Sequence, residues 1–128
     1  MKQESNASSP KYVFRGEIYL VDFSDNSEYG ESVQTGKRPC VVLSNDVGNR
    51  YSKIINCCVL STKQMKKDYP THLKLEPNEM NKLRQTSTVM VEQLRTVGRE
   101  KLKFKIGKLT DEEIHRLNDV IAVTLGLN

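Results

Sequence analysis

The sequence predicts a mainly β domain with helices, an α+β unit in which a small barrel or strongly curled sheet is closed by a C-terminal amphipathic helix. Short runs of β-branched, aromatic and aliphatic residues recur along the chain with turn residues between them. From residue 110 onward the apolar spacing changes from strand-like to helical, directly after a capping sequence. The length agrees: 128 residues and 14.6 kDa make one domain that can bury roughly two-thirds of its unfolded surface without metals or disulfides.

Residues 1–11 include Gln3, Glu4, Ser5, Asn6, Ser8, Ser9 and Pro10 and almost nothing apolar. They are expected to form a disordered lead-in, with the domain spanning 12–128. Residues 14–23 carry Ile18, Tyr19, Leu20, Val21 and Phe23 and read as a strand. The polar stretch 24–37, with Gly30 and Gly36, has no periodicity and reads as an unusually long loop, a candidate substrate cover. Three strands are expected at 40–44, 54–60 and 71–75, separated by turn signals at Asn45, Gly48 and Asn49 and at Asp68 to Pro70. Weaker strand signals occupy 88–91 and 103–106. Thr110-Asp111-Glu112-Glu113 has the form of a capping box with acidic residues at the positive end of the helix dipole. Ile114, Leu117, Ile121 and Leu125 then mark the apolar stripe of a helix.

Charge is distributed unevenly. Residues 1–52 hold 6 Lys/Arg against 7 Asp/Glu, residues 53–108 hold 13 against 5, and residues 109–128 hold 1 against 4. Folded onto one face, such a basic middle would attract a polyanion. No apolar run approaches the ~20 residues of a membrane-spanning helix, and no apolar signal region opens the chain. This argues against a secreted or membrane protein and for a cytoplasmic one. Cys40, Cys57 and Cys58 are odd in number and lack CxxC spacing, which argues against a disulfide framework and a zinc site. Phosphate-cradling glycine motifs are missing, as are HExxH and DxD metal motifs. His72 and His115 alone have an ordinary pKa near neutrality. His115 lies on the edge of the helical stripe, and His72 opens the expected strand at 71–75.

The most informative stretch is Thr35-Gly36-Lys37-Arg38-Pro39-Cys40-Val41-Val42. Gly36 lets the backbone turn, Pro39 stiffens the strand start, and Arg38 between them can present a planar fork of donors to a phosphate. With Gly36-x-Arg38-Pro39, Val41-Val42-Leu43 and Asn45-Asp46-Val47-Gly48-Asn49-Arg50-Tyr51-Ser52, the chain resembles the MazF/PemK family of toxin endoribonucleases. Pro70-Thr71-His72, Glu92-Gln93-Leu94-Arg95-Thr96 and the terminal Leu125-Gly126-Leu127-Asn128 extend the likeness to the MazF branch of Gram-positive bacteria.

That resemblance implies a homodimer of SH3-like CcdB/PemK barrels that cuts single-stranded RNA at a short sequence with no metal or other cofactor. It also implies a cognate antitoxin of a type II toxin-antitoxin system as partner. Catalysis would fall to Arg38 and to a hydroxyl at the end of the third strand. Nine residues after Ser52 and nine before Pro70 both lead to Ser61, with Thr62 as the neighbouring alternative. Strand alternation lets one of the two face the site. Ser32, Gln34, Lys37, Glu92 and Gln93 would contact substrate, with Val33 standing where relatives commonly have Glu. Glu92 has a purely structural alternative, a salt bridge with Arg95. Two other functions compete: an RNA-binding barrel without catalysis, and a gyrase poison, against which the absence of Trp counts.

Overall fold

Alternating apolar residues organise strands β1 (Glu17–Asp22), β2 (Lys37–Val42), β3 (Ile54–Ser61), β4 (His72–Leu75), β5 (Ser87–Met90), β6 (Arg95–Gly98) and β7 (Leu102–Lys108), with helices α1 (Asp46–Tyr51) and α2 (Asp111–Thr124). This computed structural model describes residues 10–24 and 36–127. The lead-in at 1–9 and nearly all of the expected loop, including Ser32, Val33 and Gln34, lie outside the described residues. The strands form one antiparallel sheet in the order β4-β5-β3-β2-β1-β7, with β6 also paired to β3.

Period-two alternation sorts the buried side chains onto both faces. On one, Tyr19 and Val21 of β1 meet Cys40 and Val42 of β2, Ile55, Cys57 and Val59 of β3, and Leu102 of β7. On the other, Ile18, Val41, Cys58, Leu60, Leu73 and Val89 pack with Leu117 of α2. Each fully buried aliphatic side chain contributes about 1.5–3 kcal/mol, so two faces filled this way hold the sheet without cross-links.

The C-terminal helix forms as its sequence requires. Glu113 N–H donates to Thr110 Oγ1 at 3.1 Å, and Thr110 N–H donates to Glu113 Oε1 at 2.8 Å, closing the capping box. Leu117 is fully buried, and Ile114, Val120 and Ile121 pack beside it. Leu125, expected in the stripe, is instead 58% exposed at the C-cap. The helix ends before another turn can bring that residue to the core.

Three expectations need correction. The residues expected to form a turn after β2 fold into α1: Asn45 caps it, its Oδ1 accepting from Gly48 N–H at 2.7 Å. Strand β2 begins at Lys37, not Cys40, and runs through Pro39, so Arg38 lies within a strand and not at a loop junction. Proline donates no ladder bond, and the β2–β3 register begins one residue later with Cys40 opposite Val59. The third is β6, which no strand expectation covered. It pairs with the first half of β3, and β5 pairs with the last two residues of the same strand. Between them a 3-10 turn, Val91–Gln93, carries the chain out and back.

Candidate active site

Strand alternation puts Arg38 and Ser61 on the same sheet face. Cys40 lies opposite Val59 and Val42 opposite Cys57. By alternation from those pairs, Arg38 of β2 and Ser61 of β3 fall on the face that carries Tyr19, Val21, Cys40 and Val59. Arg38 is half-buried and is paired across β1 with Val21. Ser61 is 8% exposed, and its Oγ accepts from Lys63 N–H at 3.2 Å. One lone pair is thereby engaged and the hydroxyl proton stays available for donation to a phosphate oxygen. Thr62, one residue on, is exposed and has left the strand. Lys37 is exposed opposite Asp22 and, by alternation, faces away from the Arg38 side.

The end of β1 and the start of β2 are tied just before Lys37. Phe23 N–H donates to Gly36 C=O at 2.8 Å, and Gly36 adopts φ +82, which an L side chain would resist.

Glu92 and Gln93 sit exposed on the 3-10 turn between β5 and β6 and reach this same face. His72 pairs with Met90 across β4 and β5, and the β3–β5 register continues Leu60 opposite Val89 to Val59 opposite Met90. Glu92 Oε2 lies 3.1 Å from His72 Nε2, and Gln93 Nε2 lies 3.8 Å from Met90 Sδ. Burial raises the Glu92 carboxyl, but hydrogen bonds from the Thr71 hydroxyl, the residue's own backbone and His72 outweigh it, and the net shift is downward. An ionised carboxylate only accepts, so in this contact His72 Nε2 is the donor.

Arg95, expected as an alternative salt-bridge partner for Glu92, also packs on an aromatic ring. It lies opposite Cys57, on the Arg38 face, with its guanidinium 4.4 Å from the centre of the Phe23 ring. Thiol chemistry has little scope here. Hydrogen bonding with Cys57 and burial both push the Cys40 thiol far up, and burial pushes that of Cys58 up to about 12. Among the described residues no group of three or more His, Cys, Asp or Glu side chains is arranged to hold a metal ion. No described helix is long and apolar enough to cross a membrane.

The fold thus carries a guanidinium and a hydroxyl on the same face of neighbouring strands, the residue types that can bind and polarise a phosphodiester. Residues 14–125 match the family described as PemK-like, MazF-like toxin of type II toxin-antitoxin system. The chain belongs to the PemK/MazF toxin family. An endoribonuclease MazF of Staphylococcus saprophyticus is 35% identical over 116 residues, covering 89% of this chain and 92% of the relative. Among solved structures, a mycobacterial endoribonuclease in complex with its cognate antitoxin aligns with a TM-score of 0.72 and 23% identity, over 91% of this chain and 97% of its own. A MazE-MazF structure from Deinococcus radiodurans aligns at 0.68 and 16% identity, over 91% and 98%. At these identities the structures establish the PemK/MazF fold alone.

The motif block Asn45 to Ser52, prominent in the likeness to PemK/MazF toxins, is architectural in this member. Asn49 is completely buried, its Nδ2 donating to Ser44 C=O at 2.8 Å and its Oδ1 accepting from Ser44 Oγ at 2.5 Å. Arg99 binds the Asn49 carbonyl from the far end of β6. These contacts fix the return from β2 to β3, and with it the register that starts with Val42 opposite Cys57.

Proposed function

We propose that this chain is an endoribonuclease toxin that cuts single-stranded RNA at a short sequence without a metal, and that Arg38 and Ser61 are its catalytic residues. What supports the reading is that alternation along two neighbouring strands puts both side chains on one sheet face, in a chain of the PemK/MazF family. The ribose 2′-OH attacks the adjacent phosphorus in line. The bond to the 5′-oxygen breaks, leaving a 2′,3′-cyclic phosphate and a 5′-OH fragment, with the 2′-OH proton passing to solvent and the departing 5′-oxygen taking one from it. Guanidinium stays protonated near neutrality and makes a poor base, so Arg38 acts by holding the charge that grows on the non-bridging oxygens. The Ser61 hydroxyl donates a further hydrogen bond there. Glu92 and Gln93 have the donors and acceptors to read unstacked base edges.

The same reading makes the active form a cytoplasmic homodimer controlled by a cognate antitoxin. Solved relatives held with an antitoxin support the partner, and the basic stretch 53–108 is suited to an acidic segment as well as to RNA.

The test is incubation of the purified protein with a long mixed-sequence RNA in EDTA, with fragment ends mapped. Expected are cuts at one recurrent short motif bearing 5′-OH and 2′,3′-cyclic phosphate ends. Intact RNA, or cleavage that EDTA abolishes, would overturn the proposal. A second measurement separates the two hydroxyls: Ser61→Ala is expected to slow cleavage about 100-fold, as for loss of one transition-state donor, and Thr62→Ala to stay within about threefold of the parent. The reverse ranking would move the role to Thr62.

A further inference from the structure

At the far end of β2 from Arg38, an open groove of about 340 Å³ lies between the strand entry at Tyr12 and Phe14 and the outer face of α1, at Val47, Arg50 and Tyr51. We propose that it is a second binding surface for single-stranded RNA, which holds chain away from the reacting phosphate and takes no part in cleavage. This goes beyond the endoribonuclease reading, and binding at the groove can be measured whether or not the RNA is cut.

An alternation of cations and rings is the first support. Lys11 Nζ lies 5.7 Å from the centre of the Tyr12 ring, and the Arg50 guanidinium lies 5.7 Å from the centres of both the Tyr12 and the Tyr51 rings. All four side chains are exposed, Tyr12 at 52% and Tyr51 at 77%, with Phe14 at 50% beside them. A single exposed aromatic is ordinary, but three around one groove with two cations make a patch that marks a partner. Bases of any identity stack on ring faces, and the cations between the rings can meet backbone phosphates, which is how single strands are held without sequence preference.

Charge is the second. Asp46 is the one acid lining the groove, and its Oδ1 already accepts from Arg15 N–H at 2.7 Å. Among the described residues no ion pair engages Lys11 or Arg50. An apolar protein surface docking here would desolvate both cations with no acid to meet them, whereas a nucleic acid brings a phosphate for each.

The platform is also fixed in place and set apart from the candidate catalytic pair. Phe14 N–H donates to Glu17 Oε1 at 2.8 Å, Asn45 caps α1, and Asn49 is buried beneath the helix. Arg38 starts β2 and α1 follows its end, so ~13 Å of strand separates them. RNA held here lies outside the cut site, and the surface adds affinity for long chains without altering the motif that is cut.

The experiment uses full-length protein and two probes with 2′-deoxyribose at the mapped cut: an oligonucleotide limited to the cut motif, and an RNA of about 30 nucleotides that contains it. Wild type is expected to bind the longer probe about tenfold more tightly, the scale of one base–aromatic stack. Tyr51→Ala should remove most of that gain and leave the short probe within about twofold. Tyr51→Phe, which keeps the ring, should retain it. Arg50→Gln should lower the slope of log affinity against log salt on the long probe by roughly 0.7. Melting curves confirm folding, and sedimentation reports the assembly state. Unchanged affinity of Tyr51→Ala for the long probe, or equal losses on both probes, overturns the surface. A change of assembly state in Tyr51→Ala overturns it too, and would give this face to a second copy of the chain. If the wild type cuts no RNA, the endoribonuclease reading falls, and the same variants on unmodified RNA still decide the surface.

Discussion

Arg38→Ala is expected to lower RNA cleavage about 1000-fold while leaving the melting temperature within a few degrees of the parent. The side chain is half-buried at the start of β2, and the apolar contacts of that strand lie farther along it, at Cys40, Val41 and Val42. Truncation therefore removes charge from the site and little from the core. Arg38→Lys separates charge from geometry. It keeps a cation but loses the planar fork, so an intermediate rate is expected. Single-turnover cleavage of a mapped substrate, read beside thermal unfolding, checks both. Parental rates in a folded Arg38→Ala protein would remove Arg38 from the mechanism.

The largest loss of stability is expected from Glu113→Ala. This carboxylate is 5% exposed and gathers three donors: Thr110 N–H on Oε1 at 2.8 Å, and the side-chain amides of Asn78 and Asn81 on Oε2, each at 3.0 Å. Asn81 is itself fully buried, and its Nδ2 also donates to Glu76 C=O at 2.9 Å. The cluster locks the β4–β5 connection to the start of α2. The contact with β7 is equally close: a Cβ on Gly107 would come within 2.4 Å of the Asn81 carbonyl oxygen. Removing the carboxylate leaves buried donors without acceptors and opens the cap, at a cost of about 3 kcal/mol, roughly 10 °C in melting temperature. Thr110→Ala loses only the cap hydroxyl and should cost about 1 kcal/mol. Equal effects in calorimetry would show that the asparagine contacts contribute nothing.

How much of this was legible in the sequence differs from element to element. Helix α2 was, because its capping box and its first apolar contacts depend on residues three or four apart. The positions of β1, β3 and β4 were, to within a few residues, because alternation is a local pattern. Helix α1 was not. Asn45, Gly48 and Asn49 carry turn chemistry, and the six residues hold as a helix with Asn49 buried and its carbonyl bound by Arg99, 50 residues away. Strand β6 was equally hidden, since its existence follows from the excursion at Val91–Gln93 that returns the chain to the same edge of β3.

The candidate site divides the same way. The sequence by itself determined the family, the presence of Arg38, and two adjacent hydroxyls of which a strand shows one face only. Tertiary structure decided which hydroxyl shares a face with Arg38, because register is a property of paired strands and no single strand contains it. It likewise decided that Glu92 meets His72. Glu92 and His72 lie on separate elements, and the antiparallel pairing of β4 with β5 brings them within reach of one another.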